Sequence, residues 1–156
     1  MFKFVAFLLV FGVYQCEKTD IKSDEILKGD WTYVGTFSET QNYSCYVCSD
    51  FDINKSLYKI SFLDGTSYSA KINLLLAKGD YSTSFDKNST SKSTGTFENL
   101  NLEILNKPYE TAEDSKFKTL FSEATNFSVV LKTNDNAYDQ LTLSSNNNEF
   151  LLFVRK

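Results

Sequence analysis

A chain of 156 residues with 42% hydrophobic and 15% aromatic side chains, one Pro and six Gly carries enough apolar mass for one packed domain. That composition excludes a disordered or low-complexity protein. A formal net charge of -4 with no basic cluster excludes nucleic acid as a natural partner, because such a surface repels phosphate backbones.

The amino terminus reads as an export signal over residues 1–15. Lys3 supplies the positive start, and residues 4–13 form an apolar run of about ten, half of what a membrane-spanning helix needs. Val13-Tyr14-Gln15-Cys16 then resembles a bacterial lipobox, with an apolar residue at -3 and, as a departure, Gln where a small residue is usual. The resemblance implies lipid attachment at Cys16, with palmitate-type chains anchoring the mature protein stably. Residues 16–28 are polar and charged and read as a tether, which leaves 29–156 as a single β-rich domain.

Trp31-Thr32-Tyr33-Val34-Gly35-Thr36-Phe37 opens that domain as a strand rich in aromatic and β-branched residues. A polar segment, 38–55, follows. Tyr58, Ile60 and Phe62 then alternate with polar residues, Asp64-Gly65 signals a turn, and Tyr68, Ala70, Ile72, Leu74 and Leu76 alternate again, giving a hairpin. Lys78-Gly79-Asp80 reads as the next turn, and Tyr81, Thr83 and Phe85 as the next strand. Residues 86–95 read as a polar loop, and Leu100, Leu102 and Ile104 mark a strand ending before Pro108.

A helix is expected over about 111–124. Thr111 is its N-cap, Glu113 and Asp114 favour its positive end, and Phe117, Leu120, Phe121 and Ala124 make one apolar stripe. Three strands close the chain, near 127–132, 138–143 and 150–155, separated by Asn-rich turns. The expected fold is therefore mainly β (α+β): a compact antiparallel sheet or barrel-like meander with one helix before the last three strands.

The run Phe62-Leu63-Asp64-Gly65-Thr66, then Asn73, Gly79-Asp80-Tyr81, the Phe117 and Leu120 helix, Leu141-Thr142-Leu143 and Leu152-Phe153-Val154-Arg155 resembles the META domain of bacterial heat-shock-type envelope lipoproteins. Ile72 stands where that family often has Cys, the spacing from Asn73 to Gly79 is long, and the partner Cys is missing, so the family's disulfide is not expected. The resemblance implies a β-rich fold and an envelope or stress-linked role without established catalytic residues. A second resemblance is to the lipocalin type. Gly29-Asp30-Trp31 is similar to its Gly-x-Trp, with Arg155 on the last strand placed to stack on Trp31.

Catalytic equipment is thin. The chain has no His, and no nucleophile elbow or phosphate-binding loop. In an oxidising compartment, Cys45 and Cys48 read as a local disulfide; zinc would need four ligands. Asp50-Phe51-Asp52-Ile53-Asn54 opens like a calcium loop, but Lys55 and Ser61 occupy the positions of its Gly and Glu, so it reads as a solvated loop. The sequence thus points to a non-enzymatic lipoprotein of the cell envelope, with Glu17 after Cys16 compatible with sorting to the outer membrane, and with no metal and no cofactor. Its partners would be the membrane, through the anchor, and an envelope protein or small apolar ligand. The alternatives are a lipocalin-like carrier of an apolar ligand and, through a protruding loop, an inhibitor of an extracellular hydrolase.

Overall fold

A computed structural model of the protein describes residues 23–156, apart from 39, 41–50, 89–90, 107, 135–136 and 147. Within those residues the chain runs α1 (Ser23–Leu27), β1 (Gly29–Ser38), β2 (Tyr58–Phe62), β3 (Ser67–Ile72), β4 (Leu75–Asn88), β5 (Lys92–Leu100), β6 (Glu103–Ile104), α2 (Ala112–Ser122), β7 (Asn126–Val130), β8 (Asp139–Ser144) and β9 (Glu149–Arg155). Every pairing is antiparallel, in the order β3-β2-β1-β9-β8-β7-β5-β4, and β3 pairs with β4 to close the ring. The result is the mainly β fold read from sequence, an eight-stranded antiparallel barrel with the short β6 added beside β4. Closure leaves those eight strands without a free edge.

Local chemistry sets the turns. Asp64 accepts hydrogen bonds from the backbone and hydroxyls of Thr66 and Ser67, and Gly65 takes φ +80°, so the β2–β3 turn is tied from within. These bonds, the Ser67 hydroxyl foremost, hold the Asp64 carboxyl below the usual carboxylate range.

The next turn differs from the sequence reading. Instead of one strand from Tyr68 to Leu76, the chain reverses at Asn73-Leu74, with Ile72 paired to Leu75 and Asn73 at φ +57°. The inward set shifts by one residue across that turn. Tyr68, Ala70 and Ile72 face in, then Leu75, Ala77 and Tyr81, which leaves Leu74 and Leu76 on the outside. Lys78-Gly79-Asp80, expected as a turn, lies within β4. Gly79 is required there by close approach: a Cβ would stand 1.8 Å from the Asn101 carbonyl oxygen and 2.6 Å from the Tyr68 hydroxyl.

Residues 86–95 are also corrected in part. Apart from Ser91, their described residues belong to β4 and β5, where Lys92 and Thr94 take the outward face, Ser93 is buried and Gly95 lets the Phe127 ring pass at close range. The strand read through Leu100, Leu102 and Ile104 is instead the end of β5, a break, and β6.

The helix and the last three strands stand where the sequence put them. Thr111 accepts from the Asp114 amide while Asp114 accepts from the Thr111 amide, a reciprocal capping box. Phe117, Leu120, Phe121 and Ala124 are all buried. The polar stretch expected to reach Lys28 joins the fold at Ser23, because Ile26 and Leu27 are buried in the barrel core.

The barrel interior is filled with side chains. Trp31, Phe62, Tyr68, Phe117, Phe121 and Phe153 are each 1% exposed or less. From α2, Phe117 meets Tyr33, Tyr58 and Phe153 with ring centroids 5.1–6.0 Å apart, and Phe121 meets Tyr68 at 5.4 Å. Among the described residues all members of the core cluster lie between Ile26 and Phe153, so the last residues of the stretch read as a tether belong to the folded unit.

Candidate functional site

The two mouths of the barrel carry its most elaborate polar chemistry. At one mouth the start of β1 meets the end of β9. Gly29 takes φ +117°, a conformation costly for any side chain, and turns the chain out of α1 into the strand. Trp31 is fully buried and donates its indole N–H to the Leu27 carbonyl at 2.6 Å. Arg155 stacks over the Trp31 ring at 4.2 Å and donates Nε and Nη2 to Asp139 Oδ2 at 3.1 and 2.8 Å. Its Nη1 donates to the Lys28 carbonyl. The Lys132 amide fills Asp139 Oδ1 at 2.8 Å. The stacking read from Gly29-Asp30-Trp31 and Arg155 is therefore present.

At the other mouth α2 plugs the opening, held by the buried carboxylate of Asp114. Tyr58 donates its hydroxyl to Oδ1 at 2.6 Å, and Oδ2 accepts from the Thr111 amide at 2.8 Å and from Asn73 Nδ2 at 3.5 Å. Burial pushes this carboxyl up, but the donors outweigh it and its pKa ends below the usual range. The same burial, and the bond to Asp114, push the Tyr58 hydroxyl well above the ordinary phenol value. The pair is fixed as phenol and carboxylate near neutrality, with every carboxylate oxygen engaged. It acts as a clasp joining the helix, β2 and the β3–β4 turn.

Asp114 was legible in the sequence only as a helix-dipole acid. The signal for more was Thr111-x-x-Asp114, whose geometry turns the third helical position back toward the cap. Tyr58 and Asn73 carried no chemical signal of their own, because pairing across 56 and 41 residues is invisible locally.

Three grooves lined by described residues open on the outer surface. One of about 430 Å³ lies beside Arg155, among Asp30, Thr32, Ile53, Asn54, Lys59 and Lys156. One of about 420 Å³ runs along α2, between Leu102, Ile104 and Lys118. One of about 340 Å³ lies between Phe51, Leu57, Tyr58 and Glu113. Their linings mix charge and apolar surface without the convergent polar groups of a small-molecule site.

Cys16, Cys45 and Cys48, the sequence-derived lipid and disulfide candidates, lie outside the described residues. So does Asp50; Asp52 of that stretch is engaged by the Asn54 amide at 3.0 Å and by Lys55 at 3.5 Å. No group of three or more Cys, Asp or Glu that could hold a metal occurs among the described residues.

No protein-family profile matches the chain. No curated protein matches it either. Among solved structures the chain is similar to a DUF4847 family protein from Bacteroides vulgatus, at 13% identity and a TM-score of 0.45, over 85% of this chain and 96% of that one.

Proposed function

We propose that this chain is a membrane-anchored envelope lipoprotein with a META-like, non-catalytic binding or structural role, tethered through Cys16. The observation that carries the non-catalytic reading is the filled barrel. Rings from β1, β2, β3, β9 and α2 occupy the space in which a carrier would hold its ligand. The carboxylates held below their ordinary range among the described residues, Asp52, Asp64, Glu110 and Asp114, serve turns, a lysine pair and a helix cap. In support of the META likeness, Asp64-Gly65 forms a tied turn, Asn73 joins the Asp114 clasp, and Gly79 leaves room for the Asn101 carbonyl and the Tyr68 hydroxyl. The apolar run at residues 4–13 followed by Cys16 supports export and anchoring, and Glu17 after that Cys is compatible with the outer membrane as destination.

Metabolic labelling with a palmitate analogue tests the anchor. The wild-type protein takes up label and fractionates with membranes, and C16S does neither; an unlabelled wild-type protein that keeps residues 1–15 contradicts it.

A second reading, a lipocalin-like carrier, is favoured by one observation, the Arg155 guanidinium over Trp31 at the closed mouth. It requires an apolar chamber of roughly several hundred cubic ångströms, and the contacts between Phe117, Tyr33, Tyr58 and Phe153 oppose it.

A further inference from the structure

The outer walls of the barrel are unlike one another. On the β1–β9 side the outward residues Thr32, Leu152 and Val154 are 5%, 2% and 0% exposed, so that wall is covered. On the β2–β3–β4–β6 side the wall is exposed: toward the β2–β3 turn its outward residues are polar, with Ser69, Asp80 and the Lys78–Glu103 ion pair, and toward the β3–β4 turn they are leucines and lysines. Leu57, Leu74, Leu76 and Leu105 are 55%, 63%, 49% and 53% exposed. Beside them Lys59 and Lys71 stand directly opposite each other across β2 and β3, and Leu76 is the next partner of Lys71 on β4. The Leu105 amide donates to the Leu76 carbonyl, so the row runs Lys59, Lys71, Leu76, Leu105 across four strands.

Two like charges opposite each other in an antiparallel pair repel. Neither lysine makes an ion pair among the described residues, although the chain as a whole is acidic. An exposed leucine is unremarkable singly, but four around an uncompensated lysine pair form one patch. This end of the wall, with leucines that reach out and two lysines in no ion pair among the described residues, matches a bilayer interface, where apolar side chains enter the headgroup boundary and lysines meet anionic lipid. Tyr109, 84% exposed, follows Leu105 by four residues and adds the amphipathic ring that such boundaries favour.

We infer that the β2–β3–β4–β6 wall lies against an anionic membrane surface, so that the barrel rests on its side. The inference builds on the anchored reading, which brings the wall within range. Six residues separate Cys16 from Ser23, a reach of at most about 25 Å over the seven extended steps between them. The lipid at Cys16 supplies retention, and the wall sets orientation.

The test uses the chain from Glu17 onward, which contains every described element and cannot be acylated at Cys16. Its sedimentation with vesicles of mixed phosphatidylglycerol and phosphatidylcholine is compared with sedimentation with pure phosphatidylcholine. Binding to the anionic vesicles at millimolar lipid, weakening as salt rises, is the expected result. Lys59→Glu with Lys71→Glu lowers that affinity by at least about tenfold, from roughly fivefold for each lysine lost at such a surface. Leu74→Ser with Leu76→Ser lowers it by about tenfold, from the apolar surface withdrawn from the interface. Lys132→Glu, past β7 on the opposite wall, leaves it unchanged, and the Trp31 emission of each variant verifies folding. No binding, equal binding to neutral vesicles, or indifference to both double substitutions overturns the inference. So does capture of an acidic protein on this wall with vesicles ignored. Because this protein lacks the lipid, its failure leaves the Cys16 labelling to decide the anchor separately.

Discussion

The two mouths of the barrel are closed by different means. At the Trp31 mouth the chain's own ends are joined, as Arg155 of the last strand stacks on Trp31 of the first and binds Asp139 and the Lys28 carbonyl. At the Asp114 mouth an inserted helix is pushed in as a plug of aromatic rings and clasped by one carboxylate. The first arrangement couples residues more than a hundred positions apart, and the second couples a helix to a hairpin. Loss of the first should therefore loosen the whole barrel, whereas loss of the second should loosen one lid.

The largest effect is expected at Trp31. Trp31→Ala removes a fully buried ring and the platform for Arg155, and should cost about 3–5 kcal/mol in chemical denaturation. Arg155→Ala leaves the nearly buried Asp139 without its cation and should cost about 2–4 kcal/mol. Equal stability of Arg155→Ala and wild type would break the distinction drawn between the mouths.

Asp114→Ala should cost less, about 2–3 kcal/mol, by leaving the Tyr58 hydroxyl and the Thr111 amide unpaired. Amide exchange should accelerate in α2 before it does in β1 and β9. The clasp is also acid-sensitive. The folded pKa of Asp114 lies below its unfolded value, so its stabilisation is complete above the ordinary aspartate range near pH 4 and is lost as pH falls through the lower folded value. Asp114→Asn should flatten this acid limb of stability against pH. A limb as steep as that of wild type would assign the acid sensitivity elsewhere.

The smallest effect is expected on the outer surface of the helix. The Lys116–Glu149 pair, at 2.8 Å but 53% and 38% exposed, should contribute less than about 1 kcal/mol and fade with salt. A larger loss in Lys116→Ala would show that the helix is held from outside as well as by its plug.

What the sequence disclosed follows from the range of each signal. The α2 cap, its apolar stripe and the final three strands depend on neighbours within a few residues, and Thr111, Phe117 and Phe121 stand where they were expected. The β3–β4 reversal was hidden because Leu74 and Leu76 continue the alternation of Tyr68, Ala70 and Ile72 past the real turn. Only the positive φ at Asn73 and the later phase of Leu75, Ala77 and Tyr81 disclose it. That one-residue slip placed two leucines in the core that stand 63% and 49% exposed on the outer wall. The Trp31–Arg155 contact was legible through a three-residue motif, and the Asp114 clasp was half legible, since its helix side is local and its Tyr58 and Asn73 side is not.

The account depends on a barrel that is packed and not a vessel, and titration with a fluorescent fatty acid measures that directly. With Phe117 and Phe121 seated among Tyr33, Tyr58, Phe153 and Tyr68, wild-type protein should show no saturable uptake and no change in Trp31 emission. Stoichiometric, micromolar or tighter uptake that quenches Trp31 would contradict it and install the carrier reading in its place.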